Sequence, residues 1–250
     1  MGIREKPVIE TEPFPVAMRI ARLAAAFLLS IVAAHAQEVR KVAFRTLCLA
    51  PLPELNELQL KPATPKSKPV IVPVFAGSLS QVLEGEFKGD EIVLLPAMID
   101  TNRPMTVAKG TLAKSKRQVF LLKPVKDEKN GDTYQIQAFD DDAADFKLGS
   151  VRAINLAPKE IRIKMGGKEM PPLSAGAPAI YPQFKDTDDA GMYPVVVETK
   201  SDDGVWTEVY SASWKASDRR REIVVVGYDE ASKQMTVKLI TDDAPWLQPK

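Results

Sequence analysis

The strongest constraint on the fold of this chain is an internal repeat. Residues 44–51, FRTLCLAP, match residues 151–158, VRAINLAP, without a gap, and both copies share an arginine and a closing Leu-Ala-Pro. Each copy is followed by a segment in which apolar and polar residues alternate, at residues 58–61 and 161–164. Self-similarity at a fixed offset indicates one structural unit built twice. The fold must therefore suit both halves of the chain.

A second pair of matches supports the same interpretation. Residues 117–122, RQVFLL, resemble residues 221–226, REIVVV, and both lead into another alternating segment, at residues 134–139 and 235–240. Paired acids follow both of these segments at the same offset. The acids are Asp141, Asp142, Asp242 and Asp243. We interpret the shared order and spacing as two copies of a module of about 100 residues.

The alternating pattern predicts β-strands, because successive side chains of a strand point to opposite faces. Seven candidate strands in each copy match the strand number of a small β-sandwich. In the first copy they are residues 42–49, 58–61, 70–75, 91–95, 105–108, 118–122 and 133–139. In the second copy they are residues 150–156, 161–165, 179–184, 193–199, 205–214, 222–228 and 235–240. The sequence thus predicts an all-β chain with two tandem antiparallel β-sandwich domains, residues 37–145 and 146–246.

Residues 1–36 have the layout of a targeting segment. A short basic start at Met18 precedes an apolar run over residues 23–34, and small residues then lead up to Ala36. This order predicts a signal-peptide helix that is cleaved before Gln37, with Met18 as the true start and export to the periplasm, the cell surface or the medium. A membrane span needs about 20 apolar residues, so no span is expected after cleavage. An uncleaved membrane anchor is the alternative.

Cleavage restricts the chemistry of the mature chain. The sole histidine is His35, so Ser-His-Asp and Cys-His catalysis and histidine-containing zinc sites are excluded. The sole cysteine is Cys48, so no disulfide forms within the chain. Basic and acidic residues are equal in number after residue 36, which does not suit a nucleic-acid partner. We predict no catalytic residue, metal site or cofactor.

The repeated strand carries an arginine on an apolar face. Arg45 shares a face with Leu47 and Leu49, and Arg152 occupies the same place in the second copy. An arginine in such a place needs a carboxylate or a strand end from which its head reaches water. We predict structural ion pairs within each domain, from Arg45 to Asp141 and Asp142 and from Arg152 to Asp242 and Asp243. A solvated sheet margin is the alternative.

Three aromatic residues of the second copy define a candidate ligand-binding face. Trp206, Tyr210 and Trp214 are spaced by four, so all three project from one face of an unbroken strand. A row of rings on a sheet is typical of carbohydrate-binding modules. Aromatic side chains also fill cores, and a core role is the alternative.

In strand pattern, residues 39–244 resemble bacterial extracytoplasmic tandem immunoglobulin-like domains, without the paired cysteines of antibody-type domains. The resemblance implies an exported, non-enzymatic structural or adhesive protein that binds another protein or an envelope component. A carbohydrate-binding module that uses the Trp206 face is the second hypothesis. A glycoside hydrolase with an unrecognised carboxylate pair is the third, because that reaction needs only two carboxylates.

Overall fold

The computed structural model describes residues 38–97, 106–127 and 131–247. The predicted signal peptide and its cleavage site before Gln37 lie outside these residues. The described chain is built from strands and one short 3-10 helix, Pro245–Leu247, which confirms the all-β class. Among the described residues, no helix has the length and apolar character needed to cross a membrane. Residues Val39–Lys250 group in one compact unit, and the predicted boundary between residues 145 and 146 lies inside it.

Each half of the described chain contains eight strands. In the first half they are β1 Val39–Cys48, β2 Glu57–Leu60, β3 Val70–Pro73, β4 Leu83–Lys88, β5 Glu91–Pro96, β6 Ala108–Thr111, β7 Arg117–Asp127 and β8 Gly131–Asp140. In the second half they are β9 Val151–Asn155, β10 Ile161–Met165, β11 Lys168–Glu169, β12 Pro178–Tyr181, β13 Met192–Lys200, β14 Trp206–Lys215, β15 Arg221–Asp229 and β16 Gln234–Asp242.

The sequence predicts seven strands in each half, and the structure has eight. The first half adds β4, LEGEFK, whose charged outer positions and glycine hide its alternation, and the second half adds the two-residue β11. Thirteen of the fourteen predicted strands correspond to observed ones, with boundaries that differ by a few residues, whereas the predicted strand at residues 105–108 meets β6 only at Ala108.

The two halves have the same strand order. The first forms one sheet, β3-β2-β5-β6-β8-β7-β1-β4, and the second forms two sheets, β11-β10-β13-β14 and β12-β9-β15-β16. Adding eight to each number of the first sheet reproduces the neighbours within both sheets of the second half. The register agrees as well, because Arg45 lies opposite Val119 and Arg152 lies opposite Ile223 in two parallel strand pairs.

This order differs from that of an immunoglobulin domain. In the constant-type domain, strands A, B, E and D form one sheet and strands C, F and G form the other. In each half here the first strand lies between the fourth and the seventh, whereas the second strand lies between the third and the fifth. The first two strands, which are neighbours in the immunoglobulin sheet, are therefore not paired.

Three hydrophobic clusters form the interior. One lies within the first half, one within the second, and a third draws on both halves and includes Leu47, Phe139, Ile154 and Ile240. Strand β1 shows the division, because Phe44 enters the first cluster and Leu47 enters the shared one. Strands β1, β7, β9 and β15 thus pack on both faces, which explains apolar runs such as VFLL in β7 and IVVV in β15.

Candidate functional site

The predicted partners of Arg45 are partly those found. Its guanidinium lies 2.8 Å from a carboxylate oxygen of Asp141, in the same half, and 2.6 Å from one of Asp242, in the other half. Arg45 and both acids are buried. The predicted pair between Arg45 and Asp141 is therefore present, and the shared core, which brings β16 next to β1, adds a pair with Asp242 that was not predicted for Arg45.

A further arginine, Arg221, completes this network. It is fully buried, lies 2.7 Å from Asp141 and also pairs with Asp242. A third hydrogen bond, of 2.8 Å, runs from its Nη1 to the carbonyl of Phe146. Sequence reasoning missed Arg221 because three consecutive arginines resemble a solvated turn. The sequence signal was its position at the start of the repeated strand, where it is the equivalent of Arg117 in the first copy.

The prediction for Arg152 is wrong, because in the described structure its guanidinium pairs with no carboxylate. Its Nη2 donates instead to the backbone carbonyl of Asp140, and its Nη1 is buried without a hydrogen-bond partner. Burial lowers the pKa of Arg152 to about 10, since the charge of Asp141 offsets the loss of water only in part and Arg221 adds repulsion. Arg152 remains a cation at neutral pH.

The second acid of each predicted pair lies outside the buried cluster. Asp142 is half-buried, and its backbone carbonyl accepts a hydrogen bond of 2.9 Å from the amide of Phe146. Asp243 is exposed. The paired acids therefore have different roles, and only Asp141 and Asp242 hold buried arginines.

Two aromatic rings, those of Trp246 and Phe146, lie against the arginines of this network. Trp246, from the second half, lies 4.3 Å from Arg45 and 4.5 Å from Arg117, both from the first half. Phe146, which follows the first copy's acids, lies 4.4 Å from Arg152 and 4.2 Å from Arg221 of the second half. Trp246 thus lies against two arginines of the first half, and Phe146, in the connection between β8 and β9, lies against two arginines of the second half.

Ion pairing keeps the cluster charged. Burial alone lowers the pKa of Arg45, but hydrogen bonds and attraction to Asp242 and Asp141 raise it above its ordinary value. Burial alone raises the pKa of Asp242, but Arg45 and Arg221 hold it below its ordinary value. The Asp242 carboxylate therefore stays charged near neutral pH, and the cluster suits a structural role.

The three predicted ligand-binding aromatics do not share a face. Val197 lies opposite Tyr210 and Glu198 lies opposite Glu208, so Val209 is an extra residue in β14, a β-bulge. An extra residue reverses which side chains face the core. Tyr210 packs against the second core and Trp214 belongs to it, with 5% of its surface exposed. The prediction of one aromatic face is therefore wrong.

Trp206 lies on the opposite, outer face of this sheet. It pairs with Lys200 across the ladder, and its ring lies 4.5 Å from the guanidinium of Arg162. Arg162 and Lys164 both hold Glu198, at 2.6 Å and 2.7 Å. Burial alone raises the pKa of Glu198, but these two cations outweigh it and lower that pKa below its ordinary value. This carboxylate is consequently a poor general acid.

A groove of about 1040 Å³ lies between the two halves. Leu49 and Ala50 line it from the first half, and residues 156–158 line it from the second, so both copies of the Leu-Ala-Pro motif meet there. Hydrogen bonds cross between the halves at this place, from Lys238 to the carbonyl of Leu49 at 2.7 Å and from Gln137 to that of Gly176 at 3.0 Å. The groove is therefore built by both copies together.

Within the described residues, no group of three or more acidic, cysteine or histidine side chains is placed to hold a metal ion. In comparisons with known proteins, no protein-family model and no curated protein matches the chain.

Proposed function

We propose that this chain is an exported, non-catalytic binding protein of the bacterial envelope, which recognises a protein or an envelope component. Two duplicated β-sandwich modules form its body. The groove between the halves carries the proposal, because it is the place where both copies of a repeated motif line one surface.

Duplication is supported by the common strand order and by the common parallel register of Arg45 and Arg152. The proposed likeness to bacterial immunoglobulin-like domains extends to the sandwich class and to module size. It does not extend to strand order.

Export is proposed from the layout of residues 18–36. Mass spectrometry of the protein purified from its native cells is expected to find Gln37 as the first residue. A mature N-terminus upstream of His35 would contradict cleavage at this site.

The composition of the groove suits recognition. Leu49, Leu156 and Pro158 supply apolar surface, and the rim is polar. The polar members are Lys123, Gln135, Gln137, Asp229, Glu230 and Lys238. Binding sites commonly combine apolar surface with a few polar groups that fix orientation.

A non-catalytic role for two of the buried acids, Asp242 and Glu198, is supported by the cations that hold them. Glycoside hydrolysis requires one carboxyl group that holds its proton near neutral pH. Asp242 and Glu198 have lowered pKa values because they are held by cations. These two carboxylates therefore favour structure over acid catalysis.

The test uses the tagged full-length protein in its native cells, with chemical crosslinking and identification of captured envelope components. Gln135 is exposed and lines the groove, so Gln135→Trp is expected to fill it and to reduce capture of a true ligand by about fivefold or more. Asp132→Trp is the matched control, since Asp132 is exposed on the same strand but does not line the groove. Equal capture by both variants would contradict a binding role for the groove.

A further inference from the structure

The indole ring of Trp246 is surrounded by positive charge. The guanidinium carbons of Arg45, Arg117 and Arg221 lie 4.3 Å, 4.5 Å and 5.7 Å from its centroid. Two carboxylates, those of Asp141 and Asp242, pair with Arg45 and Arg221. Arg117 forms no ion pair in the described structure. Three guanidinium groups thus lie around the indole, and two of them are paired with buried carboxylates.

Two N–H donors in this group have no hydrogen-bond partner in the described structure, and the guanidinium that carries one lies 4.3 Å from the centroid of the ring that carries the other. They are Nε of Arg45 and Nε1 of Trp246, and both atoms are buried. Arg45 as a residue is 4% exposed and stacks directly on the indole. Donors that are removed from water and left unpaired are costly, so buried polar atoms almost always have partners.

The carboxylates of the cluster do not serve these donors. Asp242 accepts hydrogen bonds from Arg45 Nη1 and Nη2, from Arg221 and from the amide of Ala244. Asp141 accepts from Arg45 Nη2 with one oxygen and from Arg221 with the other. Within the part of the chain that the structure describes, Arg45 Nε and Trp246 Nε1 therefore have no acceptor.

We propose that a monovalent anion of halide size, chloride in the cell, binds here and accepts hydrogen bonds from Arg45 Nε and Trp246 Nε1. An anion suits these donors better than a water molecule because three guanidinium groups lie around the indole, and a negative charge beside them is attracted to each. Trp246 follows the last strand of the second half, and Arg45 and Arg117 belong to the first. The anion thus links Trp246 to Arg45 of the first half.

The test measures the thermal midpoint of the full-length protein as chloride replaces gluconate at constant ionic strength. A ligand that binds only the folded state raises the midpoint by about 3–6 °C for each tenfold increase above its dissociation constant, for a protein of this size. Trp246→Phe is the matched control, because it keeps the stacked ring and removes only the donor. We expect this variant to lose at least half of the chloride effect.

Two results would overturn the site. One is a midpoint that does not depend on chloride, and the other is an equal chloride dependence in the parent and in Trp246→Phe. Bromide supplies an independent readout for the parent, since crystals grown in bromide are expected to show an anomalous peak within hydrogen-bond distance of Trp246 Nε1. No peak at that position would count against the site even if the variant folds poorly.

Discussion

The two halves share a strand order, but only in the first half does an extra strand pair join all eight strands into one sheet. There β6 pairs with β8, whereas the equivalent strands β14 and β16 lie in separate sheets. Gly110 explains the difference, because a Cβ on this residue would lie 2.5 Å from the backbone oxygen of Ile136 in β8. The strand pairing makes Ala212 of β14 the equivalent of Gly110, and Tyr210 lies two residues before it. Larger side chains on β14 thus keep the second pair of sheets apart.

A second difference concerns the repeated arginine. Arg45 and Arg152 occupy the same place in sequence and register, but Arg45 has two carboxylates and Arg152 has a backbone carbonyl and an aromatic ring. The reason is that Asp141 and Asp242 both accept their side-chain hydrogen bonds from Arg45 and Arg221. Equivalent residues in a duplicated chain therefore have different energetic roles once the copies pack against each other.

The largest predicted effect distinguishes these two arginines. Arg45→Met is expected to lower the free energy of unfolding by about 3–5 kcal/mol, because it leaves two buried carboxylates with Arg221 as their main cation. Arg152→Met, at the equivalent position, is expected to change stability by about 1 kcal/mol or less, since it removes a buried cation that has no carboxylate. Urea denaturation of both variants measures the difference.

Equal destabilisation by the two substitutions would contradict the assignment of the carboxylates to Arg45. A large loss from Arg152→Met alone would restore the original prediction that this arginine holds an acid. The two unfolding free energies can be compared as long as both variants show one cooperative transition.

The next effect concerns the closed side of the first half. Gly110→Ala is expected to cost about 1–3 kcal/mol, because the new methyl group meets the backbone of Ile136. Amide hydrogen exchange is expected to quicken in β6 and β8 in particular. The reverse change, Ala212→Gly, is expected to cost about 0.5–1 kcal/mol through backbone entropy. Unchanged exchange in β6 would show that Gly110 does not control closure.

Much of the fold was predictable because its signals are local. Alternation predicted the strands, and gapless matches predicted which strands correspond. The exceptions are also local, since β4 carries charged residues at its outer positions and β11 is too short to show a period. The sheet order was not predictable in the same way, because neighbours such as β1 and β7 are distant in sequence.

The sites were less predictable because they depend on contacts between the halves. Arg45 needed a carboxylate, and its own copy supplied Asp141, but nothing local indicated Asp242. The aromatic face failed for a different reason. Counting by two assumes an unbroken strand, and the extra residue Val209 cannot be recognised from side-chain type.

A smaller effect distinguishes Gln118 from its counterpart Glu222. Both are buried, but burial raises the pKa of Glu222, so folding disfavours its charged form. A carboxyl group with a raised folded pKa contributes stability below its unfolded pKa and loses it as pH rises through the folded pKa. Glu222→Gln is therefore expected to stabilise the protein at pH 7 by on the order of 1 kcal/mol or less, and the gain should shrink at pH 4. Denaturant titrations at both pH values test the sign, and a gain larger at pH 4 would contradict it.

The smallest effect concerns the two tryptophans that the bulge places on opposite faces. Trp206→Ala removes a ring stacked on Arg162 at the sheet surface, so it is expected to cost about 0.5–1 kcal/mol. Trp214→Ala empties a core position and is the matched control, with an expected cost of about 3–5 kcal/mol. Titration of the parent with envelope polysaccharides gives the second readout. Binding that disappears in Trp206→Ala, which should fold normally, would support sugar recognition through one outer ring, whereas no binding by the parent would leave Trp206 with a stacking role.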